Sequence, residues 1–162
     1  IKSPAEWKPI PGSIEAIARL NQNGYRVVVA TNQSGIGRGL FEMATLNSIN
    51  DKMMELVFRQ GGRIDAIFFC PCTAEQHCHC RKPDTGMFED IAARYQVGLA
   101  GVPCVGDSLR DLEAGAKVGC APILVMTGKG EKTKADGDLP EGTLTFKDLS
   151  AAVDSILKET TS

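Results

Sequence analysis

The 162-residue sequence predicts an α/β fold in which a doubly wound parallel sheet carries helices on both faces. Two observations lead there. The runs "RVVVAT" (26–31), "DAIFFC" (65–70), "VPCVG" (102–106) and "APILVM" (121–126) have strand length and an unbroken apolar centre, the pattern of strands buried on both faces. Between them lie segments whose apolar residues recur every three or four positions, joined by short connections, and such crossovers make the strands parallel. With 43% hydrophobic residues, the chain is long enough for one well-packed core and too short for two ordinary domains. A single domain over 1–162 is expected.

The first helix is expected in "SIEAIARLNQNG", with Ser13 as N-cap, Ile14, Ile17 and Ala18 on one face and Gly24 as the stop. After the strand at 26–31, the segment 44–62 repeats Leu46, Ile49, Met53, Leu56 and Val57 at helical spacing and ends at Gly61-Gly62. Its methionines read as core. The strand at 65–70 is followed by a thiol-rich loop, a helix at 86–96, the strand at 102–106 and a helix at 108–119. A strand at 121–126 and a last helix at 148–159 complete the set, and the polar stretch 127–142 reads as one long surface loop.

The bulk numbers exclude several classes. A net charge of −2 with scattered basic residues does not suggest a nucleic-acid surface. No apolar run approaches the roughly 20 residues that span a bilayer, and "IKSPAEWKPIPGS" lacks a signal-peptide pattern, so a cytoplasmic setting without membrane contact is expected; a monomer is expected besides.

Four of the six cysteines, Cys70, Cys72, Cys78 and Cys80, crowd into one loop as two Cys-x-Cys pairs. This spacing lets four thiolates converge on structural zinc, whereas a disulfide inside Cys-x-Cys would be strained. Zinc is therefore preferred to disulfides or unpaired thiols. His77 and His79 are the other candidate ligands, although flanking histidines are more often solvated. Cys104 and Cys120 sit in apolar surroundings and read as small core residues.

In a parallel α/β sheet, ligands gather beyond the carboxyl ends of the strands. Three such exits carry chemistry. Thr31, Asn32, Gln33 and Ser34 offer a hydroxyl and a row of backbone N–H groups suited to phosphate oxygens, or else a plain turn. Arg81 and Lys82 offer two cations, or a solvated rim. Asp107 and Asp111 in "GDSLRD" offer one carboxylate for Mg²⁺ and a second to orient the surroundings. The plainer alternative makes Asp107 a helix N-cap and Asp111 a surface residue.

Taken in order, "TNQSG", "RKP" and "GDSLRD" resemble motifs two, three and four of the haloacid dehalogenase superfamily of phosphatases. The thiol loop before "RKP" is similar to that of its zinc-containing branch, which holds heptose bisphosphate and histidinol-phosphate phosphatases; "TNQSGIGRGLF" and "TGKGEK" resemble the heptose enzymes. The family's usual Cys-x-His pair is Cys-x-Cys here, with Cys72 at the histidine position. The resemblance implies a Rossmann-like fold and Mg²⁺-dependent hydrolysis of a phosphomonoester through an aspartyl-phosphate. It further implies a sugar bisphosphate as the small-molecule substrate, in lipopolysaccharide core biosynthesis.

By the same resemblance, Asp107 is a Mg²⁺ ligand, and Thr31 and Lys82 stabilise the phosphoryl group. Asn32, Gln33, Ser34, Arg81 and Ser108 contact substrate, with Arg81 reaching its distal anion. Zinc on the four cysteines clamps the loop that presents Arg81 and Lys82. The Asp-x-Asp-Gly segment of motif one, which supplies the nucleophile and the acid/base, and the first strand that carries it do not occur in these residues; either the polypeptide is truncated or they precede Ile1. Two alternatives stand beside the sugar bisphosphatase. One is a histidinol-phosphate phosphatase, the other an inactive zinc-stabilised binding module.

Overall fold

The computed structural model describes residues 12–32, 43–70 and 78–161. The chain forms two compact units, 1–78 and 79–162.

In the first unit, helix α1 (Ser13–Gln22) leads to strand β1 (Val28–Asn32), and helix α2 (Met43–Arg59) crosses over to strand β2 (Ala66–Cys70). The strands pair in parallel, from Val28 opposite Ala66 to Asn32 opposite Cys70. Gly12, in the left-handed region at φ 84°, is the N-cap of α1, so Ser13 is the first helical residue and not the expected cap. The other end behaves as predicted: Gly24 at φ 87° lets the Tyr25 N–H reach back to the Leu20 carbonyl at 3.0 Å, satisfying an acceptor that the helix leaves open. Ala16, Ala18 and Val57 are buried. A Cβ on Gly62 would stand 2.9 Å from the Ala18 Cα, so the turn after α2 packs on α1 only because residue 62 has no side chain.

In the second unit the order is α3 (Gly86–Tyr95), β3 (Pro103–Gly106), α4 (Leu109–Lys117), β4 (Ala121–Val125), α5 (Gly130–Asp136), β5 (Leu144–Phe146) and α6 (Leu149–Thr161). The sheet is parallel, in the order β3-β4-β5. Pro122 to Val125 of central β4 are all buried, as its unbroken apolar run predicts. Leu112, Ala114, Leu124, Ala152 and Val153 are fully excluded from water. A leucine so buried contributes about 1.5–3 kcal/mol. A smaller cluster joins Phe88, Ala114 and Cys120 to Leu99, Cys104 and Val118, placing both cysteines in apolar packing as expected.

The stretch 127–142 departs from its expected loop, because its first half folds as α5. Helical spacing is hard to see in "GEKTKAD", which is almost wholly polar. Strand β5 also lay below notice, being three residues long. The parallel, helix-flanked α/β organisation otherwise follows the sequence, each unit carrying its own sheet.

Candidate active site

Parallel strands bring the carboxyl ends of β3 and β4 side by side, Gly106 opposite Leu124. The chain leaves β3 through Asp107 and Ser108 and enters α4. Ser108, extended at φ −128° and ψ 155°, is the N-cap, so Asp107 is not the cap that the plainer reading made it. Asp111, three residues into the helix, reaches back: its Oδ2 accepts from the Ser108 N–H at 3.3 Å and from the Ser108 hydroxyl at 3.0 Å. This is the return half of a capping box.

The other oxygen of Asp111 takes the ammonium of Lys82. Lys82 is 8% exposed, a buried cation, so neither it nor Asp111 belongs to a solvated rim. Burying a charge is tolerated when it is paired and hydrogen-bonded, and here both conditions hold. Gly106 makes room: a Cβ there would lie 2.5 Å from the Asp111 Cβ. Arg81, next in chain, is half-buried.

Asp107 is held by the segment leaving β4. Its Oδ2 accepts the Lys129 N–H at 3.0 Å, and its main-chain carbonyl accepts the Thr133 hydroxyl at 2.7 Å. The same hydroxyl lies 3.0 Å from the Lys129 carbonyl, but with one proton it donates to one acceptor at a time, and the shorter contact is to Asp107. Among the described residues, Oδ1 of Asp107 accepts no hydrogen bond. The two carboxylates thus differ: Asp111 has both oxygens engaged, and Asp107 has a hard oxygen donor of the kind Mg²⁺ prefers.

Thr31 and Asn32 end β1 at its carboxyl end, opposite Phe69 and Cys70. Gln33, Ser34, Cys72 and His77 lie outside the described residues. Cys70, the buried last residue of β2, is disulfide-bonded, as are Cys78 and Cys80, where the spacing predicts thiolates on zinc. Among the described residues no three His, Cys, Asp or Glu side chains are arranged to hold a metal ion. His79 has both ring nitrogens engaged, Nδ1 with Asp84 at 2.8 Å and Nε2 with Glu89. The bond to Asp84, then that to Glu89, raises its pKa above the ordinary 6.5. A nitrogen facing a carboxylate is not presented to a metal, which takes His79 off the ligand set.

Sequence reading singled out Lys82, Asp107, Ser108 and Asp111, and the structure brings Lys82, Ser108 and Asp111 into one network. It missed Gly128, Lys129 and Thr133. The available signal was the glycine pair of "TGKG" directly after a strand, a place where backbone approaches something closely.

Comparison with known proteins agrees with these features. A family model described as HAD-hydrolase-like matches residues 79–152, and one described as polynucleotide kinase 3 phosphatase matches residues 1–111. The chain is 58% identical to the D-glycero-beta-D-manno-heptose-1,7-bisphosphate 7-phosphatase of Bordetella bronchiseptica over 98% of this chain and 89% of that protein. It is 51% identical to the enzyme of the same name from Pseudomonas aeruginosa, over 98% and 88%. Its fold matches the crystal structure of the B. bronchiseptica D,D-heptose 1,7-bisphosphate phosphatase complexed with magnesium and phosphate, with a TM-score of 0.96 over 98% of this chain and 89% of that one. By motif, fold and similarity alike, the chain belongs to the heptose-1,7-bisphosphate 7-phosphatase family of the haloacid dehalogenase superfamily.

Proposed function

We propose that the protein is a Mg²⁺-dependent sugar-bisphosphate phosphatase that removes the 7-phosphate of D-glycero-β-D-manno-heptose 1,7-bisphosphate, serving lipopolysaccharide core biosynthesis in the cytoplasm. The observation that carries the reading is the carboxyl end of β3. There one carboxylate, Asp107, retains an oxygen without a donor among the described residues, and the other, Asp111, is spent on holding Lys82. A structural neighbour of 58% identity complexed with magnesium and phosphate supports it.

In this mechanism Lys82 is the fixed cation. Its ammonium, already desolvated and oriented by Asp111, stabilises the phosphoryl oxygens during transfer with little reorganisation. In the same proposal Thr31 donates a hydrogen bond to that group, and Asn32, Gln33, Ser34 and Ser108 contact the substrate. Arg81 pairs with the distal phosphate. Asp107 would hold Mg²⁺ through Oδ1, and the ion when bound would offset charge on the transferring group. The family's aspartyl-phosphate needs a nucleophilic Asp that these residues do not contain, so the step assigned to this chain is electrostatic.

Zinc is part of the same proposal. Cys70, Cys72, Cys78 and Cys80, when reduced, are four soft donors at the spacing of a closed tetrahedral site, and His79 does not compete. Such a site would order the loop that leads into Arg81 and Lys82. We also take the two units as parts of one catalytic domain.

Assay of the full-length protein tests the function. Release of phosphate and heptose 1-phosphate from the bisphosphate, dependent on Mg²⁺ and much faster than release from histidinol phosphate, is expected. Preference for histidinol phosphate, or no turnover of either, overturns it.

A further inference from the structure

We infer that the segment 127–133 is a positioning clamp for Asp107, and that through it Thr133 and Gly128 set the affinity of the site for a divalent cation. The inference rests on the reading of Asp107 as the cation's ligand.

Three contacts act on that one residue. The Thr133 hydroxyl fixes its main-chain carbonyl at 2.7 Å, and the Lys129 N–H fixes Oδ2 at 3.0 Å. Gly128, at φ 60°, lies so close to Oδ2 that a Cβ would collide with it. A carboxylate normally rotates about two side-chain torsions. Here the backbone end is pinned, one oxygen is bonded and the space beside it is closed, which leaves Oδ1 as the oxygen without a hydrogen bond among the described residues.

The clamp is itself rigid. Thr133 is 8% exposed, on the first turn of α5, where its N–H bonds the Lys129 carbonyl at 3.0 Å. A Cβ on Gly130 would run into the Val125 carbonyl, so the turn from β4 into α5 closes this tightly only with glycine. A threonine that merely satisfied a stray carbonyl would not need the other two contacts to converge on the same aspartate.

Removing a group that orients a metal ligand typically costs 10–100-fold in metal affinity. The test is Mn²⁺ binding to the full-length protein without substrate, read by electron paramagnetic resonance of free Mn²⁺, beside the Mg²⁺ concentration that half-activates the phosphatase. Thr133→Val and Gly128→Ala are each expected to weaken Mn²⁺ binding about 10-fold or more and to shift Mg²⁺ activation in parallel. At saturating Mg²⁺ the loss in kcat should be small, and Thr133→Ser should restore the affinity. A folded Thr133→Val protein with wild-type Mn²⁺ affinity overturns the clamp, as does a Ser variant no better than Val. Should Thr133→Val fail to fold, wild-type affinity in Gly128→Ala overturns it alone. Asp107→Asn separates the two layers. If it keeps Mn²⁺ binding, the ligand reading fails and the clamp with it; if it loses binding while the other variants do not, the clamp alone fails.

Discussion

The Lys82 ammonium is buried against one oxygen of the Asp111 carboxylate, whose other oxygen takes the amide and hydroxyl of Ser108. One side chain thus ties the residue after the thiol loop to the first turn of α4. Removing the carboxylate takes an ion pair from a cation whose side chain is 9% exposed. Asp111→Ala should therefore destabilise the protein by about 3–5 kcal/mol, measured as a lower urea midpoint at constant slope. Replacing both partners by apolar groups, Lys82→Met with Asp111→Leu, should recover most of that loss. It should not recover activity. A double variant as unstable as Asp111→Ala would show that packing, not the loss of the ion pair, sets the cost.

Arg81 and Lys82 are neighbours with different surroundings, one half-buried and the other buried in an ion pair. Lys82→Ala should lower kcat by on the order of 10²-fold or more, the scale of losing one preorganised donor. Arg81→Ala should mainly raise KM for a heptose bisphosphate and change little for an aryl phosphate, which has no second anion. Parallel losses on both substrates would refute this division of labour.

Much of this was legible in the chain. Strands such as "APILVM" announce themselves because both faces are buried and every residue is apolar. Asp107 stands at a strand exit, where chemistry collects. What stayed hidden depends on side chains meeting across sequence distance. The pairing of Lys82 with Asp111 spans 29 residues and that of Thr133 with Asp107 spans 26, and no local pattern encodes either. Helix α5 was missed for a related reason: its polar residues show no apolar stripe, and its place in the fold comes from Gly130 and Thr133 packing back toward β3 and β4.

Burial pushes the Cys104 thiol up to about 12, with the nearby Cys120 and Asp111 adding to the effect, and burial raises Cys120 as well. Thiolate is the reactive form, so at pH 8 Cys104 is held in the unreactive thiol form in the native state. Both thiols should resist iodoacetamide in folded protein and react on unfolding. The raised value also works as linkage: the stabilisation from a neutral buried thiol is complete below about pH 9 and is lost as pH climbs toward 12. Rapid native-state labelling of Cys104, located by peptide mapping, would contradict the packing described here.

The thiol loop admits two chemistries with different counts. If Cys70, Cys78 and Cys80 are oxidised, a fourth cysteine must complete the pairs, and at most two of the six titrate as free thiols in denaturant without reductant. If Cys70, Cys72, Cys78 and Cys80 hold zinc, all six titrate once the metal is chelated, and one zinc per chain is found by elemental analysis. We expect the zinc result in protein purified without oxidant, because two Cys-x-Cys pairs suit a tetrahedral ion better than a ring closed within either pair. Cys78→Ser should then lower the zinc content and weaken catalysis mainly through the loop, raising KM more than it lowers kcat, since a closed four-thiolate site offers no open position to a reacting group. Full zinc occupancy in Cys78→Ser would remove that residue from the ligand set, and a count of two thiols with no zinc would establish the disulfides in its place.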